Sequence, residues 1–132
     1  MITAVDTNIL FDILRPDEGH LANSLRTFQR AQTEGSMVIS EIVYAEIAGL
    51  FQSRATLNHA LATSGLDLVR STEEVLWNAA RIWRESRRGA RGGRILPDFL
   101  IGAHAQVLAD RLLTRDRGFY RQCFTQLTVI AP

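Results

Sequence analysis

Five short runs rich in apolar and β-branched residues punctuate the chain: ITAV (2–5), MVI (37–39), LDLV (66–69), RLLT (111–114) and LTVI (127–130). Longer segments of helical character separate them. This alternation constrains the fold more than any other feature. Continuous apolar runs of this length suit strands covered on both faces. Strands joined by helices in this order predict an α/β fold with a parallel sheet and helices on both sides. Right-handed crossovers then gather the carboxyl ends of the strands on one edge.

The helices carry their own punctuation. HLANSLRTFQRAQTEG reads as an amphipathic helix closed by Gly35. Ser40 can cap the helix EIVYAEIAGLFQ, and residues 54–64 form another that ends at Ser64-Gly65. Ser71 and Glu74 have the spacing of a capping box opening TEEVLWNAARIWRESRR. Pro97 suits the first turn of a helix running to about Asp110.

A length of 132 residues suits one compact domain, 1–132, with a proper core. No stretch is apolar enough to span a bilayer, and the N-terminus lacks the layout of a secretory signal. The lone Cys123 cannot form an internal disulfide, so the expected compartment is the cytoplasm. All fifteen basic residues are Arg. A GC-rich genome encodes such a bias, but the absence of Lys also excludes P-loop and Schiff-base chemistry.

Four acids are placed for chemistry by this pattern. Asp6 ends the first strand, where it can cap a helix or meet a ligand at the strand end. Glu46 lies on the stripe Val43, Glu46, Ile47, Leu50, which is otherwise apolar and expected to face inward. Asp98 follows Pro97 in the nearly all-apolar helix PDFLIGAHAQVLA, and Asp116 lies just past the strand RLLT. Singly, Asp6 and Asp98 suit helix termini, Asp116 suits a turn, and Glu46 can pair with an Arg. Together they need a counter-charge, because two carboxylates about 4 Å apart repel by roughly 4 kcal/mol at an effective dielectric near 20. A hard divalent ion, Mg²⁺ or Mn²⁺, meets that need with oxygen ligands. Cys123, His20, His59 and His104 show no zinc-ligand spacing. An acidic, metal-loaded edge points to phosphate chemistry.

AVDTNIL with Asp6, SEIVYAE with Glu46, ILPDFLIGAHA with Asp98 and LLTRDRGF with Asp116 resemble the four motifs of PIN-domain ribonucleases. They are most similar to those of VapC-like toxins of type II toxin–antitoxin modules, and the resemblance spans nearly the whole chain. It implies a three-layer α/β/α sandwich and a Mg²⁺- or Mn²⁺-dependent endoribonuclease. It also implies a homodimer and a cognate VapB-like antitoxin whose C-terminal segment covers the acidic groove. Carried over, Asp6, Glu46, Asp98 and Asp116 are the metal-holding and catalytic acids. Asn8 and Thr114 are hydrogen-bonding residues that orient them, unless they only satisfy turn backbone.

RIWRESRRGARGGR packs six Arg residues ahead of Asp98. It reads as a solvated helix face or as a footprint for RNA phosphates, with Arg91 and Arg94 the better placed. Glu41 is expected to serve the helix dipole, and Asp12 to be solvated. Phe119, Tyr120 and His104 are expected to pack, and Trp77 and Trp83 to lie in the core or an interface. Two other readings compete with the ribonuclease. One is a non-catalytic RNA- or protein-binding module whose acids pair with a partner's Arg. The other is a Mg²⁺-dependent phosphatase or 5′-nuclease.

Overall fold

The computed structural model describes residues 1–15, 19–88 and 94–132. Its strands are β1 (Ile2–Val5), β2 (Ser36–Ile39), β3 (Leu66–Leu68), β4 (Arg111–Leu113) and β5 (Val129–Ile130). All five run parallel in one sheet of order β3-β2-β1-β4-β5. The helices are α1 (Thr7–Leu14), α2 (Leu21–Glu34), α3 (Glu41–Ala48), α4 (Arg54–Ser64), α5 (Glu73–Arg88), α6 (Leu96–Leu108) and α7 (Arg117–Cys123). The short α7 adds to the elements read from the sequence.

From β1 the chain builds outward through β2 to β3, then returns to place β4 on β1's other side. Right-handed crossovers therefore set α1–α4 on one face and α5–α7 on the other. In β1 and β2 every residue after the first is buried, as a sheet covered on both faces demands. The reversal of strand order between β1 and β4 opens a crevice at their carboxyl ends, where such sheets bind ligands. Asp6 and Thr114 stand at those two ends.

Local chemistry ends most helices as expected, although α3 stops at Ala48, four residues before the end of the run EIVYAEIAGLFQ. The Ser40 hydroxyl accepts from the Val43 amide at 3.3 Å. Ser53 and Thr56 form a reciprocal capping box at the start of α4, and Gly65 closes that helix at φ 70°. Helix α6 stops at Leu108 because Asp110 is drawn to β1: its carboxylate accepts from the Ile2 amide at 2.6 Å, and its own amide donates to the Ile2 carbonyl. Gly102 lets α6 lie against Phe124, whose ring a Cβ there would meet at 2.4 Å.

The capping box at Ser71 does not form. Thr72 accepts from the Val75 amide instead. Ser71 gives both its amide and its hydroxyl to Glu41, which thereby ties the start of α3 to the loop before α5. Glu41 thus takes the Ser71 amide that the Glu74 carboxylate would accept in a capping box, and occupies the hydroxyl as well.

Candidate active site

Asp6 leaves β1 at the crevice with only 6% of its surface exposed. Its Oδ1 accepts from the Thr7 amide at 2.7 Å. Its Oδ2 accepts from the Thr114 hydroxyl at 2.7 Å and the Asn8 side-chain amide at 3.3 Å. The Tyr120 hydroxyl donates to the same carboxylate. Burial nevertheless dominates and raises the Asp6 pKa above the ordinary carboxylate value, with Asp98's charge adding to the rise.

Thr114 is fully buried and its hydroxyl is saturated. The oxygen donates its single proton to Asp6 and accepts from Asn8 Nδ2 at 3.2 Å and the Asp116 amide at 3.0 Å. Asn8 in turn accepts from the Arg115 amide at 3.1 Å, which fixes its amide orientation. The two residues therefore join β1, α1 and the loop after β4 into one network around Asp6.

Asp98 sits in the first turn of α6 and is half-buried. Burial raises its pKa; Arg94 opposes the rise, and Asp116's charge reinforces it. Asp116 precedes α7, and its Oδ2 lies 2.6 Å from Arg94 Nη1. The same guanidinium lies 3.8 Å from Asp98 and 4.5 Å from the centre of the Phe119 ring. Arg94 thus supplies the positive charge these two acids need, and the Asp116 hydrogen bond raises its own pKa. Arg91 lies outside the described residues.

Glu46 is a correction. It is exposed, not inward-facing: Val43 and Ile47 take the buried side of α3, and Glu46 sits on its flank. Residues three apart on a helix are about 60° out of phase, enough to carry one of them out of the core. Glu46 still reaches the crevice, where Oε1 accepts from the Thr7 hydroxyl at 2.7 Å. Thr7 adjoins Asp6, so Glu46 is tied to the first acid through one intervening residue. Asp6, Asp98 and Asp116 each act on a neighbour's proton affinity, but among the described residues no three His, Cys, Asp or Glu side chains are grouped to hold a metal ion.

Two other residues emerge only in three dimensions. Asp12 is 3% exposed where solvation was expected. It accepts from Ser24 at 2.7 Å and takes the Arg115 guanidinium at 2.7 and 3.1 Å. That ion pair anchors the loop leading to Asp116. Tyr120 lies one turn beyond Asp116 on α7, and its hydroxyl faces the acids. Burial first, then the charges of Asp6 and Asp98, pushes its pKa far up, so it remains a neutral donor. The spacing between Asp116 and Tyr120 was the available signal for it.

Elsewhere the packing expectations hold. Phe119 meets Phe99 edge-on at 5.2 Å and Tyr120 at 4.9 Å. His104 is buried and its Nε2 lies 2.6 Å from the Val69 carbonyl. Burial lowers its pKa, so the neutral ring donates there, away from the acids. Trp83 is partly buried, whereas Trp77 is 65% exposed. No helix among the described residues is long and apolar enough to cross a membrane.

Comparison with known proteins fits this arrangement. No curated protein sequence matches the chain. Among solved structures, VapBC-1 from nontypeable Haemophilus influenzae matches with a TM-score of 0.75 at 21% identity, covering 99% of this chain and 98% of that one. VapBC2 from Rickettsia felis, solved bound to a promoter DNA fragment, matches at 0.73 and 20% identity with the same coverage. DNA-bound VapBC from Salmonella typhimurium matches at 0.67 and 20% identity, again over 99% and 98%. These likenesses establish a shared fold. The PIN domain model matches residues 3–125. That match takes in four of the five strands and all seven helices of the described residues, and the chain belongs to the PIN domain family.

Proposed function

We propose that this chain is a divalent-metal-dependent endoribonuclease, the toxin of a VapBC-type toxin–antitoxin pair, working in the cytoplasm as a homodimer held by a VapB-like antitoxin. The observation that carries the reading is the convergence of Asp6, Asp98 and Asp116, from three separate elements, at the strand-order reversal of a PIN domain sheet. PIN domains as a class are nucleases, and the solved structures of like fold are toxin–antitoxin complexes.

The residues present fit Mg²⁺ or Mn²⁺ in chemistry. The donors are carboxylate oxygens, and a cationic guanidinium already rests between two of them, which marks where positive charge is favoured. Asp6, Asp98, Asp116 and Glu46 would hold the ion, and loading requires Arg94 to release Asp98 and Asp116. Such an ion, when bound, would supply Lewis acidity toward water and the phosphate oxygens. The Thr114 hydroxyl and Asn8 amide hold Oδ2 of Asp6, and the Tyr120 hydroxyl bonds the same carboxylate. Arg94, once released, is a candidate contact for RNA phosphates beside the acids.

The test is cleavage of total cellular RNA by antitoxin-free protein, with Mg²⁺ or Mn²⁺ and with EDTA, beside Asp98→Asn. Discrete fragments that need the metal and vanish with the variant are expected. Absence of cleavage by folded, metal-supplied protein across RNA pools overturns the nuclease.

One observation favours a second reading. An arginine already fits against Asp116 and Asp98, so a partner's arginine can fit there too, and the crevice would then be a binding groove without catalysis. Binding of the partner undiminished by EDTA, with no RNA cleavage under any metal, would select it.

A further inference from the structure

Helix α3 has a second working flank. From one side of it Glu46 reaches the acidic crevice, with Oε1 2.7 Å from the Thr7 hydroxyl. Tyr44 lies two residues earlier, about 200° round the helix, and so faces the other way. There its hydroxyl donates to Asn58 Oδ1 of α4 at 2.9 Å. Beside that bond opens a cleft of about 630 Å³, lined by residues of α3, α4 and the edge strand β3. The width of one helix, about 10–12 Å, therefore separates this cleft from the acids.

The charged groups of the cleft gather at the end nearer the acids. Arg54, Asn58 and Leu61 recur at helical spacing, on one face of α4. Helix α4 ends at Ser64 and β3 begins at Leu66, so the helix runs antiparallel to the strand. Arg54, its first residue, thus stands at the carboxyl end of β3, where Arg70 also lines the cleft. Parallel pairing puts that end on the same sheet edge as the ends of β1 and β4, where the acids are. Both arginines are exposed, and among the described residues neither has a hydrogen bond or ion pair. Because Oδ1 of Asn58 is taken by Tyr44, the amide of Asn58 has two protons left to donate. Leu61 and Leu66 are buried and give an apolar floor. Tyr44 packs against the core as well as lining the cleft, and Asp67 adds one acceptor.

These groups narrow the class of ligand. A small anion would use the arginines but meet repulsion from Asp67. An acidic peptide would meet the same repulsion and make no use of the ring. A nucleotide engages every part. Its phosphate oxygens accept from the guanidinium groups, its base stacks on Tyr44, and a 2′-hydroxyl or a base amino group donates to Asp67. We propose that this cleft grips a nucleotide of single-stranded RNA about three residues along the strand from the phosphate at the acids, counting about 3.4 Å per stacked nucleotide. Arg54 and Arg70 hold phosphates, Tyr44 stacks a base, and Asp67 favours a nucleotide over other anions. The assignment rests on RNA being the substrate, and it adds a place where the strand is held apart from where it is cut.

The test is binding, read apart from cleavage. A fluorescein-labelled RNA of about twelve nucleotides and mixed sequence is titrated with the chain in EDTA at about 50 mM salt, and anisotropy gives the affinity. Arg54→Gln and Arg70→Gln each weaken binding by about three- to tenfold. Each also lowers the slope of log affinity against log salt by about 0.7, the value for one single-strand phosphate. Tyr44→Leu weakens binding at least about fivefold, whereas Tyr44→Phe, which keeps the ring, stays within about twofold. Arg30→Gln removes an exposed arginine near the end of α2, at the opposite sheet edge, and as the control for net charge stays within about twofold. Circular dichroism spectra are unchanged throughout. A wild type that binds no RNA, arginine variants no weaker than Arg30→Gln, or equal affinities for Tyr44→Leu and Tyr44→Phe overturn the cleft. A glutamate peptide of the same length that binds as tightly as the RNA, and through the same arginines, overturns the assignment to RNA in favour of a protein partner. Metal is absent from these titrations. A chain that grips RNA without cutting it and a nuclease indifferent to these substitutions are therefore separate results.

Discussion

The acidic crevice has two halves built on different principles. Asp6 is buried and held by neutral donors that are themselves locked: the Thr7 amide, the Asn8 amide, and the Thr114 and Tyr120 hydroxyls. Asp98 and Asp116 are partly exposed and are balanced by one cation, Arg94. The first half is shaped by the fold whatever charge is nearby. The second depends on a positive charge being present, and a long, half-exposed Arg side chain is an exchangeable way to supply it. In the proposed enzyme, one carboxylate is therefore prepared in advance and two are kept in reserve.

The contrast can be broken at either end. Asp98→Asn has the largest expected effect: RNA cleavage falls by about a hundred- to a thousandfold, a scale typical of losing a group that stabilises transition-state charge. The unfolding temperature of the metal-free variant stays at or above that of the wild type, since one of two like charges is gone. Retained cleavage would remove Asp98 from the chemistry and leave the second half structural.

Thr114→Val attacks the prepared half. It leaves the Asp116 amide without its side-chain acceptor, the Asn8 amide with Asp6 alone, and Asp6 without its closest side-chain donor. A buried site of this kind costs about 1–3 kcal/mol, read as a lower denaturant midpoint. A loss below about 0.5 kcal/mol, the level of an ordinary surface change, would show that the network does not shape the site.

Arg94→Gln attacks the reserve half. Manganese affinity, followed by electron paramagnetic resonance, should tighten by about three- to tenfold, because the ion no longer competes with a guanidinium. Stability should change by under about 1 kcal/mol, as for a partly exposed ion pair. Weaker manganese binding would mean that Arg94 helps assemble the site.

The pH response is a smaller effect with a definite sign. The folded pKa values of Asp6 and Asp98 lie above their unfolded values. Their contribution to metal-free stability is therefore full below the unfolded carboxylate pKa, near 3.8, and is lost as pH rises through the raised folded values. Stabilisation by added Mn²⁺ should grow over the same rise, measured as the shift in unfolding temperature against an EDTA control. A metal-induced shift that is flat in pH would argue that neither acid binds the ion. Thr7→Val, which frees Glu46 from its tether, should act least, lowering manganese affinity by a few-fold at most. An effect as large as that of Asp98→Asn would make Glu46 an equal member of the set.

Much of this was legible in the chain. The five apolar runs became five parallel strands within one or two residues of their expected ends, because burial on both faces writes itself into consecutive residues. Parallel connectivity then put Asp6, Asp98 and Asp116 on one edge before any side chain was placed. For Asn8 and Thr114 the resemblance left two readings, orienting the acids or satisfying turn backbone, and each side chain does both: it donates to Asp6 and accepts a backbone amide.

Other features needed the fold. Glu46 was misjudged because the phase of one helix against the sheet decides which flank is buried, and a difference of about 60° is beyond a stripe of four residues. Asp12 was misjudged because its partners, Ser24 and Arg115, lie on other elements and meet it only after the chain closes. The pairing of Arg94 with Asp116 has the same origin, and so does the aim of the Tyr120 hydroxyl. The sequence by itself determined the layers, the strand edge and the acids delivered to it, since those follow from local periodicity and chain direction. Only the tertiary structure decided which charges neutralise one another, because Coulomb and hydrogen-bond partners are chosen by distance in space, to which separation along the chain is no guide.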